Sequence, residues 1–309
     1  MAKKILFVID PITALKPFHD TSVGMMQAAL ALGLEVFVCE IGDLRIENAR
    51  ACSHITAITI DLKQSNWYQC GAVQSVDLAG LDYIIMRKDP PVTMAYIYAT
   101  TVLSLAQQHG AVVANEPLAL RSYNEKLLIA EFGALSGDYL VTSALDEMQA
   151  FIAKHEDVVI KPLDGMGGMG ISRITPQCLE PLADLSKNFS EMIMLMPYIP
   201  EVTQGDKRIL LVHGEPVPYA LLRVPPKGQL QANLALGGEG KVVPLSACDL
   251  EIAAAVKPFC MAKGLSFVGL DVIGQTLTEV NITSVTCMRE IEAETGLDIA
   301  GDYIKGLMV

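Results

Sequence analysis

The stretch VVIKPLDGMGGMGISRI, residues 158–174, most constrains what this chain can build. Gly165, Gly167 and Gly170 spell G-x-G-x-x-G. A dinucleotide fingerprint must open a helix, so that the helix N-terminus faces a pyrophosphate. Here the β-branched Ile171 and Ile174 follow, and Pro176 leaves no room for a helix. The Walker A pattern G-x-x-x-x-G-K-[ST] occurs nowhere in the chain. What remains is a strand, a glycine loop and a second strand. Such a loop can fold over phosphates and offer them backbone N–H groups. On the loop alone, a mobile hairpin is equally well supported. Lys161 shifts the balance. It puts an ammonium at the end of a buried apolar strand, where an unpaired charge is costly and a ligand anion is a natural partner.

A second constellation lies in GLDVIGQTLTEVNITS, residues 269–284. Gly274 and Gln275 read as a tight turn between two strands. Asp271 and Glu279 then lie nearly opposite each other, and Glu279 and Asn281 point to one face. Oxygen-bearing side chains converging from apolar strands suit Mg²⁺. An exposed hairpin with its polar residues outward is the plain alternative. It weakens because Val272, Ile273, Val280 and Ile282 predict buried strands, where a carboxylate pair would repel without a cation.

Around these two sites the pattern changes along the chain. The first third alternates short apolar strands (KILFVI, LEVFVCE, DYIIMR, VVAN) with helical stretches, one capped near Asp20 to Ser22 and stopped by Gly33, another over 93–108. That predicts an open, mostly parallel sheet. Ser122 and Glu125 have capping-box spacing and predict a helix running to Gly133. A helix over 143–155 leads into VVIKP. Beyond it, ISRI, MIMLMPYI, RILLVHG, VPYALLRV, SFVGLDVI and TLTEVNI predict antiparallel sheet, with helices near 249–263 and 287–295. The fold class is therefore α/β followed by α+β. The glycine-rich LALGGEG, 234–240, predicts a loop or lid.

Composition removes several classes. A chain of 309 residues, 51 % hydrophobic and 19 % charged, is globular and large enough for two or three domains. The formal net charge of −12 argues against nucleic acid or an anionic membrane as partner, so an anionic ligand must be held by a few placed cations or metal ions. The longest uncharged run, 90–108, carries Thr, Tyr, Ser and Gln and predicts a core helix, not a membrane span. Seven scattered cysteines without C-x-x-C predict free thiols in a reducing cytosol. The five histidines show no ligand spacing.

Taken with MRKDPP (86–91), NEKL (124–127), KPLDGMGG (161–168), GDKR (205–208), GEPVPY (214–219), VGLD (268–271), TEVNITS (278–284) and REIEAE (289–294), the chain resembles the bacterial glutathione synthetases of the ATP-grasp superfamily. The matching stretches run along most of the chain, in family order. The resemblance implies three domains: an N-terminal α/β domain over 1–121, a central ATP-grasp lid over 122–200 and a C-terminal ATP-grasp domain over 201–309. It implies a reaction in which ATP phosphorylates the cysteinyl carboxylate of γ-glutamylcysteine, and glycine attacks the acyl phosphate. It implies two Mg²⁺ or Mn²⁺ ions held by Asp271, Glu279 and Asn281. By the same matching, Lys126 and Lys161 contact ATP phosphates, Gly167 and Gly168 cover them, Tyr198 and Ile199 carry the adenine, and Asp206 lies near the nucleotide. Arg208 and Arg223 stabilise the transferring phosphoryl group. Arg87, Ser284, Thr286 and Arg289 are substrate contacts. A cytoplasmic homodimer or homotetramer is implied as well.

Some positions depart from the family pattern. Gln231 and Glu239 stand where relatives carry basic residues, and Val285 where proline is common. These changes leave two other hypotheses: an ATP-grasp ligase with a different acid or amine, and a nucleotide-binding protein without turnover.

Overall fold

The computed structural model describes residues 2–226 and 238–309. Among these the strands form three sheets. The first contains β1 (Lys4–Val8), β2 (Glu35–Cys39), β3 (Leu44–Glu47), β4 (Arg50–Ile60), β5 (Tyr68–Asp77), β6 (Tyr83–Met86) and β7 (Val112–Ala114). The order is β3-β4-β2-β1-β6-β7, with β5 on the outer side of β4. β2, β1, β6 and β7 run parallel, as the alternating pattern predicts. The β3, β4 and β5 strands are antiparallel, so the sheet is mixed and not mostly parallel. The reason it was not legible is β5 itself. It is exposed along nearly its whole length, so its sequence has no buried, apolar alternation to read.

Two helices flank the parallel strands. α1 (Thr21–Ala31) is capped by Asp20, whose side chain accepts from Ser22 N, and Gly33 follows it at φ +81°. α2 (Met94–Gln108) is capped by Thr93. The predicted helix from Ser122 to Gly133 does not form. Instead α3 (Pro117–Ser122) ends where it was to begin, and 127–132 winds as a 3₁₀ turn before α4 (Gly133–Ser136). The capping box fails because the Glu125 carboxylate finds backbone donors at Ile282 and Thr283 instead. Asn124 Oδ1 takes over the local role, accepting from Lys126 N and Leu127 N.

The second sheet has four strands in the order β10-β9-β11-β8: β8 (Leu140–Thr142), β9 (Val158–Pro162), β10 (Ser172–Ile174) and β11 (Ile193–Pro197). It is antiparallel, and α5 (Leu145–His155) and α6 (Glu180–Leu185) close a local core around Met148, Ile152, Ile160 and Leu195. The third sheet runs β14-β13-β12-β15-β16, from β12 (Asp206–Val212), β13 (Glu215–Val224), β14 (Glu239–Pro244), β15 (Phe267–Ile273) and β16 (Thr276–Asn281). α7 (Ala247–Ala262) packs on it behind a Ser246 capping box. The expected lid falls mostly outside the described residues, Gln231 included; Glu239 opens β14.

The first and third sheets share their cores. One cluster joins Leu6, Ile84 and Leu103 to Val268, Leu270 and Ile282. A second joins Ile5, Phe7 and Met25 to Leu210, Phe267 and Tyr303, because the last two helices, α8 (Met288–Thr295) and α9 (Ile299–Leu307), return to pack on α1. No helix among the described residues is long and apolar enough to cross a membrane.

A single buried amide ties the two sheets together at the end of β7. Asn115 Nδ2 donates to Phe267 O at 2.8 Å and to Ile282 O at 2.7 Å. Its Oδ1 accepts from Ser266 N at 2.7 Å and Phe267 N at 2.9 Å. Asn115→Ala should lower the unfolding free energy by about 3 kcal/mol, since it orphans several buried backbone groups at once. Chemical denaturation checks this; an unchanged midpoint would mean that the amide does not hold the sheets together.

Candidate active site

The second and third sheets enclose a cavity of about 240 Å³, which Asp89 and Pro90, after β6, reach from the N-terminal part of the chain. Its geometry begins with register. On the third sheet Asp206 pairs with Arg223 across β12 and β13, and Arg208 pairs with Asp271 across β12 and β15. Asp271 in turn faces Glu279 on β16. Directly opposed residues on neighbouring strands put their side chains on the same face. One face of the sheet therefore carries a row of four charges from three strands, with Glu279 at its end.

Contacts within the row are tight. Arg208 Nε donates to Asp271 Oδ1 at 2.5 Å, and its Nη2 to Oδ2 at 3.0 Å. Arg223 Nη2 lies 2.6 Å from Asp206 Oδ2 and 3.0 Å from Asp271 Oδ2. All but Asp206, which is partly exposed, are buried. Burial pushes the Asp271 carboxyl up, but the two guanidiniums outweigh it and hold it well below the usual carboxylate range. Asp206 is pushed up to about 6, by burial first and by Asp271 after it, against Arg223. The expectation that Asp271 and Glu279 would repel without a cation is corrected here. Arg208 on β12 and Arg223 on β13 supply the countercharge to Asp271, and Lys126 meets Glu279; no strand-by-strand reading of 269–284 could see them. Within this row two polar atoms stay unused: Arg223 Nε and Asp206 Oδ1 are buried without a hydrogen-bond partner.

The second sheet forms the opposite wall. Lys161 sits on β9 beside Met196 on β11, its Nζ 3.6 Å from the thioether sulfur. Burial holds its pKa down, with Glu279 the chief group acting against that. The loop beyond it requires glycine. Gly167, Gly168 and Gly170 have φ of +61°, +83° and +75°, which L side chains rarely adopt. Lys126, just before the 3₁₀ turn, donates to Gly165 O at 2.5 Å and pairs with Glu279 Oε1 at 3.2 Å. One lysine thus ties the glycine loop to the carboxylate strand. At the rim Tyr198 N donates to Asp157 O at 2.9 Å, and Ile199 follows. The Tyr198 ring is covered by the Arg173 guanidinium at 3.7 Å, which is itself fixed by Asp157.

Most of the residues expected to act together line this one cavity. They are Lys126, Lys161, Gly167, Gly168, Tyr198, Ile199, Asp206, Arg208, Arg223, Asp271, Glu279, Asn281, Ser284 and Thr286. Arg87 and Arg289 do not. Arg87 is buried beneath the site, where Nε donates to Ser22 Oγ at 3.0 Å and Nη2 to Val285 O at 2.8 Å. Its donors hold the loop from below instead of reaching the cavity. Arg289 lies against Gly24 of α1 and 3.8 Å from Glu292. Its position on α8 turns it towards the N-terminal unit. Asp89 and Glu125 line the cavity and were not singled out from the sequence. Both stand in matching stretches, MRKDPP and NEKL, and that adjacency was the available signal.

The lining carries four cationic side chains (Lys126, Lys161, Arg208, Arg223) and five carboxylates (Asp89, Glu125, Asp206, Asp271, Glu279). The lining thus holds one carboxylate more than it has cations, and a polyphosphate entering it needs further positive charge. A hard divalent cation on oxygen ligands would supply that charge. Glu279 uses one oxygen on Lys126, and Asn281 Nδ2 donates to Gly269 O at 3.3 Å, leaving its carbonyl oxygen as the acceptor. A carboxylate has about four lone-pair sites, so Asp271 can keep its arginines and still accept a cation. Among the described residues no group of three His, Cys, Asp or Glu side chains stands together as a metal site.

Known proteins place this architecture. Residues 3–121 match the family model for the N-terminal domain of prokaryotic glutathione synthetase, and residues 125–296 match that of its ATP-grasp domain. The glutathione synthetase of Vibrio parahaemolyticus is 42 % identical over 310 residues, covering 98 % of this chain and 97 % of the relative. That of Salmonella typhimurium is 43 % identical, covering 96 % of each. Among solved structures, D-cycloserine synthetase DcsG aligns with a TM-score of 0.70 over 98 % of this chain and 99 % of its own, at 14 % identity. The ATP-grasp ligase PsnB aligns with a TM-score of 0.66 over 100 % and 99 %, at 17 % identity. These distant structures share the ATP-grasp fold. With both family models matched in order and the relatives aligned end to end, the chain belongs to the prokaryotic glutathione synthetase family.

Proposed function

We propose that the chain joins γ-glutamylcysteine to glycine with hydrolysis of ATP to ADP and phosphate, through an acyl phosphate on the cysteinyl carboxylate. The observation that carries this reading is the convergence of two lysines, a glycine loop and two buried arginines on one cavity. Catalysis of this kind needs no side-chain nucleophile. It needs anions positioned in line and their charge neutralised.

The roles follow from placement. Lys126 and Lys161 hold the phosphates, and the N–H groups near Gly167 and Gly168 cover them. The segment of Tyr198 and Ile199 carries the adenine. Arg223, with Nε free and buried, faces the charge that develops on the transferring group, and Arg208 shares that work while anchoring Asp271. Asp206 orients Arg223. Asp271, Glu279 and Asn281 would hold Mg²⁺ or Mn²⁺, two ions per site, and the metal supplies the positive charge that neutralises ATP phosphates. Ser284 and Thr286 face the carboxylate substrate. Arg87 and Arg289 act behind them, through the Val285 carbonyl and α1.

Other parts of the reading rest on the surface. The charge of −12 disfavours nucleic acid and anionic membrane. Seven free cysteines suit the cytoplasm. The outer edge of β5, whose one charged residue is Asp77, suits a homodimer or homotetramer, because unpaired edge strands invite a partner.

Phosphate release from Mg-ATP should require γ-glutamylcysteine and glycine together, with glutathione formed. Release with γ-glutamylcysteine alone would mean that the acyl phosphate leaks to water. No release with any combination would sink the reading. Glu279→Ala should lower kcat at least about a hundredfold by removing a metal ligand, whereas Glu47→Ala, on exposed β3, should leave it unchanged; equal activity in the two would remove the metal assignment. Lys161→Met should raise the Kd for ATP about tenfold, the scale of one lost charged hydrogen bond, and calorimetry reads it directly.

A further inference from the structure

We propose that Glu125 is a positioning residue that clamps the segment 282–286 over the cavity, so that the ATP-side lysine and the substrate-side loop are set by one turn of chain. This rests on the reading above that Ser284 and Thr286 face the carboxylate substrate.

β16 ends at Asn281, and the chain then leaves the sheet on its way to α8. Leaving the ladder strips the next backbone N–H groups of strand partners, and buried N–H groups without partners are costly. Glu125 meets that need alone. Its Oε1 accepts from Ile282 N at 2.7 Å, Thr283 N at 2.9 Å and Thr283 Oγ1 at 2.8 Å. Its own carbonyl accepts from Val280 N at 3.1 Å. Main chain and side chain of one residue therefore make four hydrogen bonds to three residues, Val280, Ile282 and Thr283. Charge-assisted bonds of this sort are short and about twice as strong as neutral ones. The same segment is held from other sides by Asn115 on Ile282 O and Arg87 on Val285 O. Of the three holders, only Glu125 also lines the cavity. Lys126 is the next residue and touches both the glycine loop and Glu279. Any shift of this turn moves both halves of the site.

Glu125→Gln keeps the shape, but a neutral amide oxygen cannot hold three donors as firmly. Two measurements test the proposal together. Amide hydrogen exchange at Ile282 and Thr283, in the protein without substrates, should speed up. The kcat/KM for γ-glutamylcysteine should fall about tenfold, with the KM for ATP changed less than about threefold. Glu125→Asp should not restore activity, because it is one methylene short of the three donors. Thr283→Val, which loses only the hydroxyl, should show a smaller loss of about threefold. Unchanged exchange in Glu125→Gln would overturn the clamp. Faster exchange with wild-type kcat/KM would overturn the positioning role and place the substrate elsewhere, with ATP binding untouched. A lowered Tm with both readouts unchanged would leave a purely structural residue and also overturn the proposal. If Glu125→Gln does not fold, Thr283→Val carries the same pair of readouts: changes in both support the clamp, and changes in neither reject it.

Discussion

Asp271 is buried between two guanidinium groups, and the rest of the site is arranged around that fact. A buried carboxylate is tolerable only when its charge is met and its lone pairs are used. Arg208 and Arg223 meet it from β12 and β13, and Asp206 balances the second arginine. The strand register makes this possible, since Asp206 faces Arg223 and Arg208 faces Asp271 across the ladders. Removing one partner from such a buried set typically costs about 3–5 kcal/mol, because the remaining charge stays buried and uncompensated. The same residues are the ones that can meet a phosphate, so stability and chemistry draw on one network.

Glycine enters where side chains would break that network. A Cβ on Gly269 would come within 2.7 Å of Val285 and 2.9 Å of Arg208. A Cβ on Gly205 would come within 2.5 Å of Leu222, at φ +127°. Gly269 thereby leaves room for the Arg208 side chain, and Gly205 lets the chain enter β12 just before Asp206.

The cavity is shared by units with different packing. The second sheet closes one side of itself with a local core, whereas the first and third sheets are welded by two common cores and by Asn115. The wall bearing Lys161 and the glycine loop is therefore the least tied of the three. That suits a wall that must admit ATP, since segments with fewer shared contacts open at lower cost.

Much of this was legible in the sequence. The strand on either side of the glycine loop followed from β-branched residues and Pro176, and the hairpin of Asp271 and Glu279 followed from alternation about a Gly-Gln turn. Helix starts at Asp20, Thr93 and Ser246 are written in local capping chemistry. These are short-range properties, and short-range periodicity carries them. What tertiary structure alone decided is who faces whom. Ser122 and Glu125 have the spacing of a capping box, yet donors more than 150 positions away take the Glu125 carboxylate. Arg87 stands beside a cavity residue in sequence, yet burial spends its donors on Ser22 and Val285. β5 carries no apolar period, so only pairing with β4 makes it a strand. A side chain's partner is set by the lowest free energy over the whole fold, and neighbours in sequence are only one set of candidates.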